Sequence, residues 1–242
     1  SFINAFGLSI AIAFCTLIYL FVQDERSFDQ FHADKDRIYR VHTTNFDSKK
    51  HEQADPNPFS SHPYLPAKFG EVMLDELAEV EAMTRFTNYN QGIMSYGEHN
   101  FNQKYACIDS GFFKIFSFKI LAGDKENPLR TNSDAVLTPD VAKKFFGDED
   151  PIGKTFTLSS DGGKKELHVT AIIEAPPANS SIAFPMLVSL EVHPWFAQSR
   201  EEWGNFSYPT FVRVRENTNP VDLKAHLDTL TKKYMAERFK KW

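Results

Sequence analysis

An α+β domain carried on one N-terminal transmembrane helix is the fold class that the sequence predicts. Three observations predict it. Residues 5–22 form an apolar run without a charge. The rest of the chain mixes alternating, β-branched segments with capped amphipathic ones. Strand and helix signals open and close that remainder, around a middle that carries further strands.

The first element is the run Ala5 to Val22, AFGLSIAIAFCTLIYLFV. It is near the minimum for a bilayer-spanning helix, roughly 17–25 residues. Gly7, Ser9, Ala11 and Ala13 are small enough to let another helix approach. Tyr19 sits near one end, where interfacial aromatics are favoured. A signal peptide is one alternative, but it needs a basic n-region and a small-residue cleavage site. Tyr19-Leu20-Phe21-Val22 fits cleavage badly. A buried core helix is the other alternative. The flank Gln23-Asp24-Glu25-Arg26 is not basic, so the positive-inside rule does not put it in the cytoplasm.

Beyond Gln23 no second run is long and apolar enough to span a bilayer. Arg37 to Asn45 is β-branched and aromatic and reads as a strand. Leu65, Phe69, Val72, Met73 and Leu77 recur at helical spacing, predicting a helix over about 63–79. Thr84 to Tyr89 and Phe101 to Ile108 are strand candidates, as is Ala135 to Leu137. Thr138 is a natural N-cap, Pro139 fits the first helical position, and Gly147 fits the left-handed residue past the end. Lys154 to Ser159 and Leu167 to Ile173, joined through Asp161-Gly162-Gly163, read as a β-hairpin. Leu167, Val169, Ala171 and Ile173 alternate, so one face of that strand is buried. Pro209 to Arg215 is a further strand, with Thr210, Val212 and Val214 on one face. Asn219-Pro220 starts the last helix, with Leu223, Leu227, Leu230 and Tyr234 as its apolar stripe and Arg238, Lys240 and Lys241 at its basic end.

This order suggests a lobe built from both ends of the domain, about residues 23–90 with 206–242, and an inserted lobe of about 91–205. The transmembrane segment is placed at 1–22 and the domain at 23–242.

The net charge of -5 argues against nucleic acid as a partner, which needs a basic footprint, and against a polybasic membrane-surface module. Two cysteines, Cys15 and Cys107, are too few for a disulfide framework, and a bridge between a membrane residue and the domain is not expected. Cys107 reads as a small core hydrophobe. The eight histidines are His32, His42, His51, His62, His99, His168, His193 and His226. None pairs with another at helical metal-ligand spacing. His51-Glu52 opens like a zincin motif, but Asp55 stands where the second ligand belongs. Asp148-Glu149-Asp150 lacks the alternation of a calcium loop. Gly162-Gly163 is a turn and no phosphate loop, and no serine sits in a nucleophile-elbow pattern. The reading therefore assigns no catalytic, cofactor or metal residues, and the chain is expected not to be an enzyme.

Three blocks carry a resemblance. The first runs Asn4-Ala5-Phe6-Gly7-Leu8, then Glu25-Arg26-Ser27-Phe28-Asp29-Gln30-Phe31-His32, then Arg37-Ile38-Tyr39-Arg40-Val41. The second is Asp109-Ser110-Gly111-Phe112-Phe113-Lys114-Ile115-Phe116-Ser117-Phe118, followed by Leu121-Ala122-Gly123-Asp124, Ala142 to Gly147 and Pro151 to Lys154. The third is Pro176-Pro177-Ala178-Asn179-Ser180-Ser181, ahead of Phe184. In this order they resemble MacB-like permeases of the FtsX superfamily, in the form common among Bacteroidetes. The resemblance covers nearly the whole chain.

It implies a permease subunit of the bacterial inner membrane with four membrane helices, whose periplasmic domain lies between the first two. Its implied partners are a cytoplasmic ABC ATPase, a second permease copy, and an adaptor or outer-membrane channel where one exists. ATP hydrolysis would move the periplasmic domains, which is mechanotransmission. Cargo would be a peptide, lipoprotein or antibiotic, and relatives that regulate cell-wall hydrolases leave the choice open. The chain stops at Trp242, before a second membrane helix, so a longer permease is expected. Two other functions compete. A sensor domain would continue through one more helix into a signalling module, and an anchored hydrolase would show a convergent catalytic pocket. Locally, Asp29 is expected to pair with Arg37 or Arg40 and fix the domain on its stalk. The Phe112, Phe113, Phe116 and Phe118 group is expected to fill a core, and Gly123, Gly147 and Gly153 to sit in turns.

Overall fold

A computed structural model describes residues 2–44 and 61–239. Helix α1 (Phe2–Ser27) is 26 residues long and buries none of them. An apolar helix with no protein packed on it has its hydrophobic surface left for lipid. At 1.5 Å per residue it reaches about 39 Å, more than the roughly 30 Å of a hydrocarbon core. The last two turns, with Asp24, Glu25 and Arg26, are the polar ones and extend beyond that length.

The domain follows as β1 (Ile38–Val41), β2 (Thr43–Thr44), β3 (Ser61–His62), β4 (Tyr64–Pro66), α2 (Ala67–Glu76), β5 (Val80–Tyr96), β6 (His99–Ile108), α3 (Phe112–Ile115) and β7 (Ile120–Gly123). It continues with β8 (Asp134–Leu137), α4 (Pro139–Phe146), β9 (Thr155–Ser160), β10 (Gly163–Ile173), β11 (Met186–Ser189), α5 (Phe196–Ser199), β12 (Phe206–Val214) and α6 (Pro220–Phe239). Ten strands form one hydrogen-bonded sheet, ordered β1-β12-β5-β6-β11-β8-β10-β7, with β4 on β12 and β9 bridging β10 and β5. The β6–β11 and β8–β10 pairs are parallel. Strands β2 and β3 form a separate small ladder.

Helix α2 is shorter than its apolar spacing suggests. Pro66 stands at its N-cap with ψ 143°, and the residue before a proline is pushed to extended backbone. Leu65 therefore pairs with Tyr208 as part of a strand. Strand β5 is much longer than Thr84 to Tyr89. Its stretch Asn90-Gln91-Gly92 is poor in strand formers, yet Gly92 lies under β9. A Cβ there would sit 2.7 Å from the Ser159 carbonyl oxygen, so only glycine allows the two strands to approach.

Around α4 the cap differs from expectation. Thr138 occupies the N-cap, but its hydroxyl donates to the Pro185 carbonyl at 2.9 Å and caps no helix N–H. A neighbouring strand end supplies a carbonyl acceptor for that hydroxyl. Pro139 opens the helix, and Gly147 ends it at φ 63°. Gly123 and Gly153 also take positive φ, 85° and 79°. The α6 cap is as expected, with the Val221 N–H donating to Asn219 Oδ1 at 3.0 Å. The β9–β10 hairpin forms in register, and Leu167, Val169, Ala171 and Ile173 are all buried. Strands β7 and β11 and helices α3 and α5 have no counterpart among the predicted elements.

The core falls into three apolar clusters. One lies around α4 and the β9–β10 hairpin. A second gathers the phenylalanines at Phe112, Phe116, Phe118 and Phe184. In the third, the buried members come only from residues 41–83 and 212–235, where α2 and α6 pack on β5 and β12.

Candidate functional site: the junction at the end of the membrane helix

Helix α1 meets the domain without a free linker. Its last residue, Ser27, is held by Asn179, whose side-chain amide donates to the Ser27 carbonyl at 3.0 Å and to its hydroxyl at 3.2 Å. The Asp29 N–H donates to the Asn179 carbonyl at 3.0 Å. The carboxylate of Asp29 accepts from the Ser181 N–H at 2.8 Å and from the Ser181 hydroxyl at 2.6 Å. Asp29 takes φ 58°, a left-handed conformation that aspartate tolerates better than most residues. The loop 176–181 is thus a clasp on the helix end, and Asn179 closes a C-terminal carbonyl that the helix itself leaves open.

Asp29 makes no ion pair among the described residues, contrary to expectation. Arg37 turns to Asp34 at 2.5 Å and Glu81 at 3.2 Å, and Arg40 donates to His42 Nε2 at 3.0 Å. Arg213 joins Asp34 at 3.1 Å and Glu81 at 3.2 Å, closing a four-member network that fixes the start of β1 on β12. The Arg37 guanidinium beside it holds the Asp34 carboxyl below its usual range. Asp29 instead finds backbone and hydroxyl donors at Ser181, and bonds of this kind to a charged carboxylate are stronger than neutral ones.

Three residues on, His32 is buried, with 3% of its surface exposed. The Ser117 N–H donates to His32 Nδ1 at 3.1 Å, and the Ala33 N–H donates to the Ser117 hydroxyl at 3.0 Å. The ring lies 5.1 Å from Phe116 and 5.2 Å from Phe118, centre to centre, and 4.1 Å from Phe31. Because Nδ1 accepts, the proton sits on Nε2, which has no partner among the described residues. Burial lowers the His32 pKa, and the nearby Asp29 charge opposes this only in part.

With the folded pKa below the ordinary value near 6.5, the unfolded chain binds the extra proton. His32 therefore contributes stability above about pH 6.5 that is lost as pH falls toward the folded pKa. His42 and His193 are lowered by burial too. Urea titrations between pH 5 and 8 are expected to show a shallower loss of stability for His32→Phe than for the parent. Equal slopes would remove His32 from the account.

The remaining candidates do not converge. His42 lies beside Ser61, His168 beside Thr155 and His226 beside Glu79. His51-Glu52 and Asp55 fall outside the described residues, as do the side chains of the basic end of α6. No group of three metal-binding side chains occurs among the described residues. Glu149 of the acidic loop pairs with Lys154. Cys107 is fully buried, its thiol pKa pushed up by burial, and Cys15 is exposed on α1.

The order of these parts, an apolar helix, a clasped junction and this mixed sheet, is matched by a sequence model for the MacB-like periplasmic core domain over residues 1–230. The chain belongs to that family. Solved structures share the fold of this MacB-like periplasmic core domain. A domain of a putative permease protein from Porphyromonas gingivalis superposes with TM-score 0.67 at 24% identity, covering 84% of this chain and 86% of that one. The periplasmic region of MacB from Actinobacillus actinomycetemcomitans gives 0.52 at 15% identity, with 81% of each chain covered. The extracellular domain of the noncanonic ABC-type transporter YknZ from Gram-positive bacteria gives 0.50 at 13%, covering 72% of this chain and 84% of that one. No curated protein matches the sequence. As a MacB-like domain behind an apolar helix, the chain is the membrane-anchored, extracytoplasmic part of an ABC-type permease.

Residues of all three sequence blocks meet at the junction: Asp29 and His32, Ser117, and Asn179 with Ser181. The blocks are legible in the sequence but their pairing is not, since the partners lie 152 and 85 positions apart.

Proposed function

We propose that this chain transmits movement between the membrane helices of an ABC permease and its periplasmic domain. A cytoplasmic ABC ATPase drives a pair of such permeases in the inner membrane. The movement of their periplasmic domains exports or extracts a substrate such as a peptide, a lipoprotein or an antibiotic. An adaptor or outer-membrane channel extends the path where one is present. The domain itself carries no catalytic step.

One observation carries this reading: α1 runs unbroken to Ser27 and is clasped there by Asn179, Ser181 and the His32–Ser117 exchange. A displaced helix end then takes the domain with it, whereas a flexible linker would absorb the displacement. The reading also divides the domain into an outer lobe, about 23–90 with 206–242, and an inserted lobe, about 91–205. Supporting that division, the buried members of one apolar cluster come only from the outer segments. The register of β5 against β6 shifts between Thr87 and Asn90, next to the boundary.

Insertion of Gly-Gly-Ser-Gly between Ser27 and Phe28 tests coupling in the full permease with its ATPase. ATP hydrolysis is expected to persist while transport falls at least about tenfold, as expected when a packed two-state contact is lost. Transport at the parental rate would refute the coupling role.

A further inference from the structure

His32 stands just past the end of α1, in a pocket that accepts a neutral imidazole and has no place for a second proton. Nδ1 accepts from the Ser117 N–H at 3.1 Å. Nε2 is buried and has no partner among the described residues. The remaining wall is aromatic, with the rings of Phe31, Phe116 and Phe118 centred 4.1–5.2 Å from the imidazole. An imidazolium carries hydrogen on both nitrogens, so Nδ1 could no longer accept and the Ser117 N–H would face another donor. Phenylalanine rings attract a cation, but they replace neither the lost hydrogen bond nor the water that solvates a charge.

No acid in the surroundings stands ready to receive that charge. Asp29 is the charged group whose field reaches the ring, and its carboxylate is taken by the Ser181 N–H and hydroxyl. Asp34 pairs with Arg37 and Arg213, and Glu174 accepts from the Lys119 N–H. The Lys35 ammonium donates to Gln30. Asp24, Glu25, Arg26 and Asp36 are exposed, as are Lys114 and Lys119 at either end of the Phe116–Phe118 segment. The bond that protonation removes is one of a reciprocal pair. The Ala33 N–H donates to the Ser117 hydroxyl at 3.0 Å, so His32 and Ala33 together hold the turn after α1 against Ser117.

We propose that protonation of His32 drives its ring out of this pocket and opens the junction, which makes the clasp an acid-sensitive latch. Burial lowers the pKa of the closed state, whereas an imidazole in water titrates near 6.5. Between those two values each unit fall in pH shifts the equilibrium toward the open state by up to about tenfold, because the open state holds one more proton. The consequence for transport rests on the mechanical reading: an open latch lets α1 move without the domain, so extracytoplasmic acid uncouples the two.

Spin labels at Phe21→Cys on α1 and Lys164→Cys on the β9–β10 hairpin, with Cys15→Ala, test it by distance measurement on the 242-residue chain in nanodiscs. A narrow distribution is expected at about pH 7.5, with a broad component that grows as pH falls to about 5 and disappears on return. Two variants that take up no proton are the controls. His32→Asn keeps an acceptor near the Nδ1 position, and His32→Phe fills the pocket with an apolar ring. In neither is the width expected to change with pH. Tryptophan fluorescence over the same range reports whether the domain stays folded. A parental width constant down to about pH 5, equal broadening in the control variants, or unfolding of the whole domain ahead of the broadening would overturn the proposal. Transport and ATP hydrolysis by the full permease at the two pH values separate the latch from the mechanical reading. Acid broadening without a fall in transport per ATP would leave the latch standing and sink the coupling role.

Discussion

Replacing Arg85 with Met is expected to lower the stability of the domain by about 3–5 kcal/mol, the scale for breaking a buried pair. The Arg85 side chain is 4% exposed and that of Asp109 is 19% exposed. Besides its two bonds to Asp109, the guanidinium donates to the Ala67 carbonyl at 2.8 Å and reaches Glu71 at 3.4 Å. It thus joins β5, the end of β6 and the start of α2. Methionine fills similar space but leaves the Asp109 carboxylate without its counter-charge and the Ala67 carbonyl without its donor. A urea titration monitored by tryptophan fluorescence measures the loss. Adding Asp109→Leu removes the stranded charge, so the double variant is expected to regain a good part of it. A double variant no better than Arg85→Met would show that the ion pair is not the source.

Phe112→Ala is expected to cost a similar amount, about 3–5 kcal/mol, by transfer and cavity effects together. Phe112 is fully buried at the start of α3. Its ring centre lies 4.9 Å from Phe116, 5.4 Å from Phe113, 5.8 Å from Phe184, 6.0 Å from Phe118 and 6.1 Å from Phe86. Phe86 belongs to strand β5 and Phe184 lies just ahead of β11, so two of these rings cannot close on the void without moving the sheet. Phe112→Leu retains most of the volume and is expected to lose less than half as much. The same titration ranks the two, and equal losses would mean that volume is not what Phe112 contributes. The cluster also backs the His32 pocket through Phe116 and Phe118, so loosening it is expected to reach the junction.

Much of this was legible in the residues, and the misses have physical causes. The α1 run, the β9–β10 alternation and the Pro139 and Pro220 helix starts are local signals, and each element formed where its signal lay. Strand β7 was invisible because Ile120-Leu121-Ala122-Gly123 is short and lies at a sheet edge with little burial. Strand β11 was missed because Met-Leu-Val-Ser is buried on both faces between β6 and β8 and shows no alternation. An arginine partner is the simplest local expectation for Asp29, because Arg37 and Arg40 follow it closely in the chain. Its true partners lie across the fold, and no periodicity in the chain reports that distance. The same holds for His32, whose polar character gave no hint of a place among phenylalanines.

Distance measurement across the junction tests the central claim, that α1 and the domain move as one body. Spin labels at Phe21→Cys on α1 and Lys164→Cys on the β9–β10 hairpin, with Cys15→Ala, report it by pulsed electron resonance in nanodiscs; both positions are exposed, and Cys107 is buried. The account predicts one narrow distance distribution in the parent. It predicts a broad one when Asp29→Ala and Asn179→Ala open the clasp. Distributions equally broad with and without the clasp would contradict it.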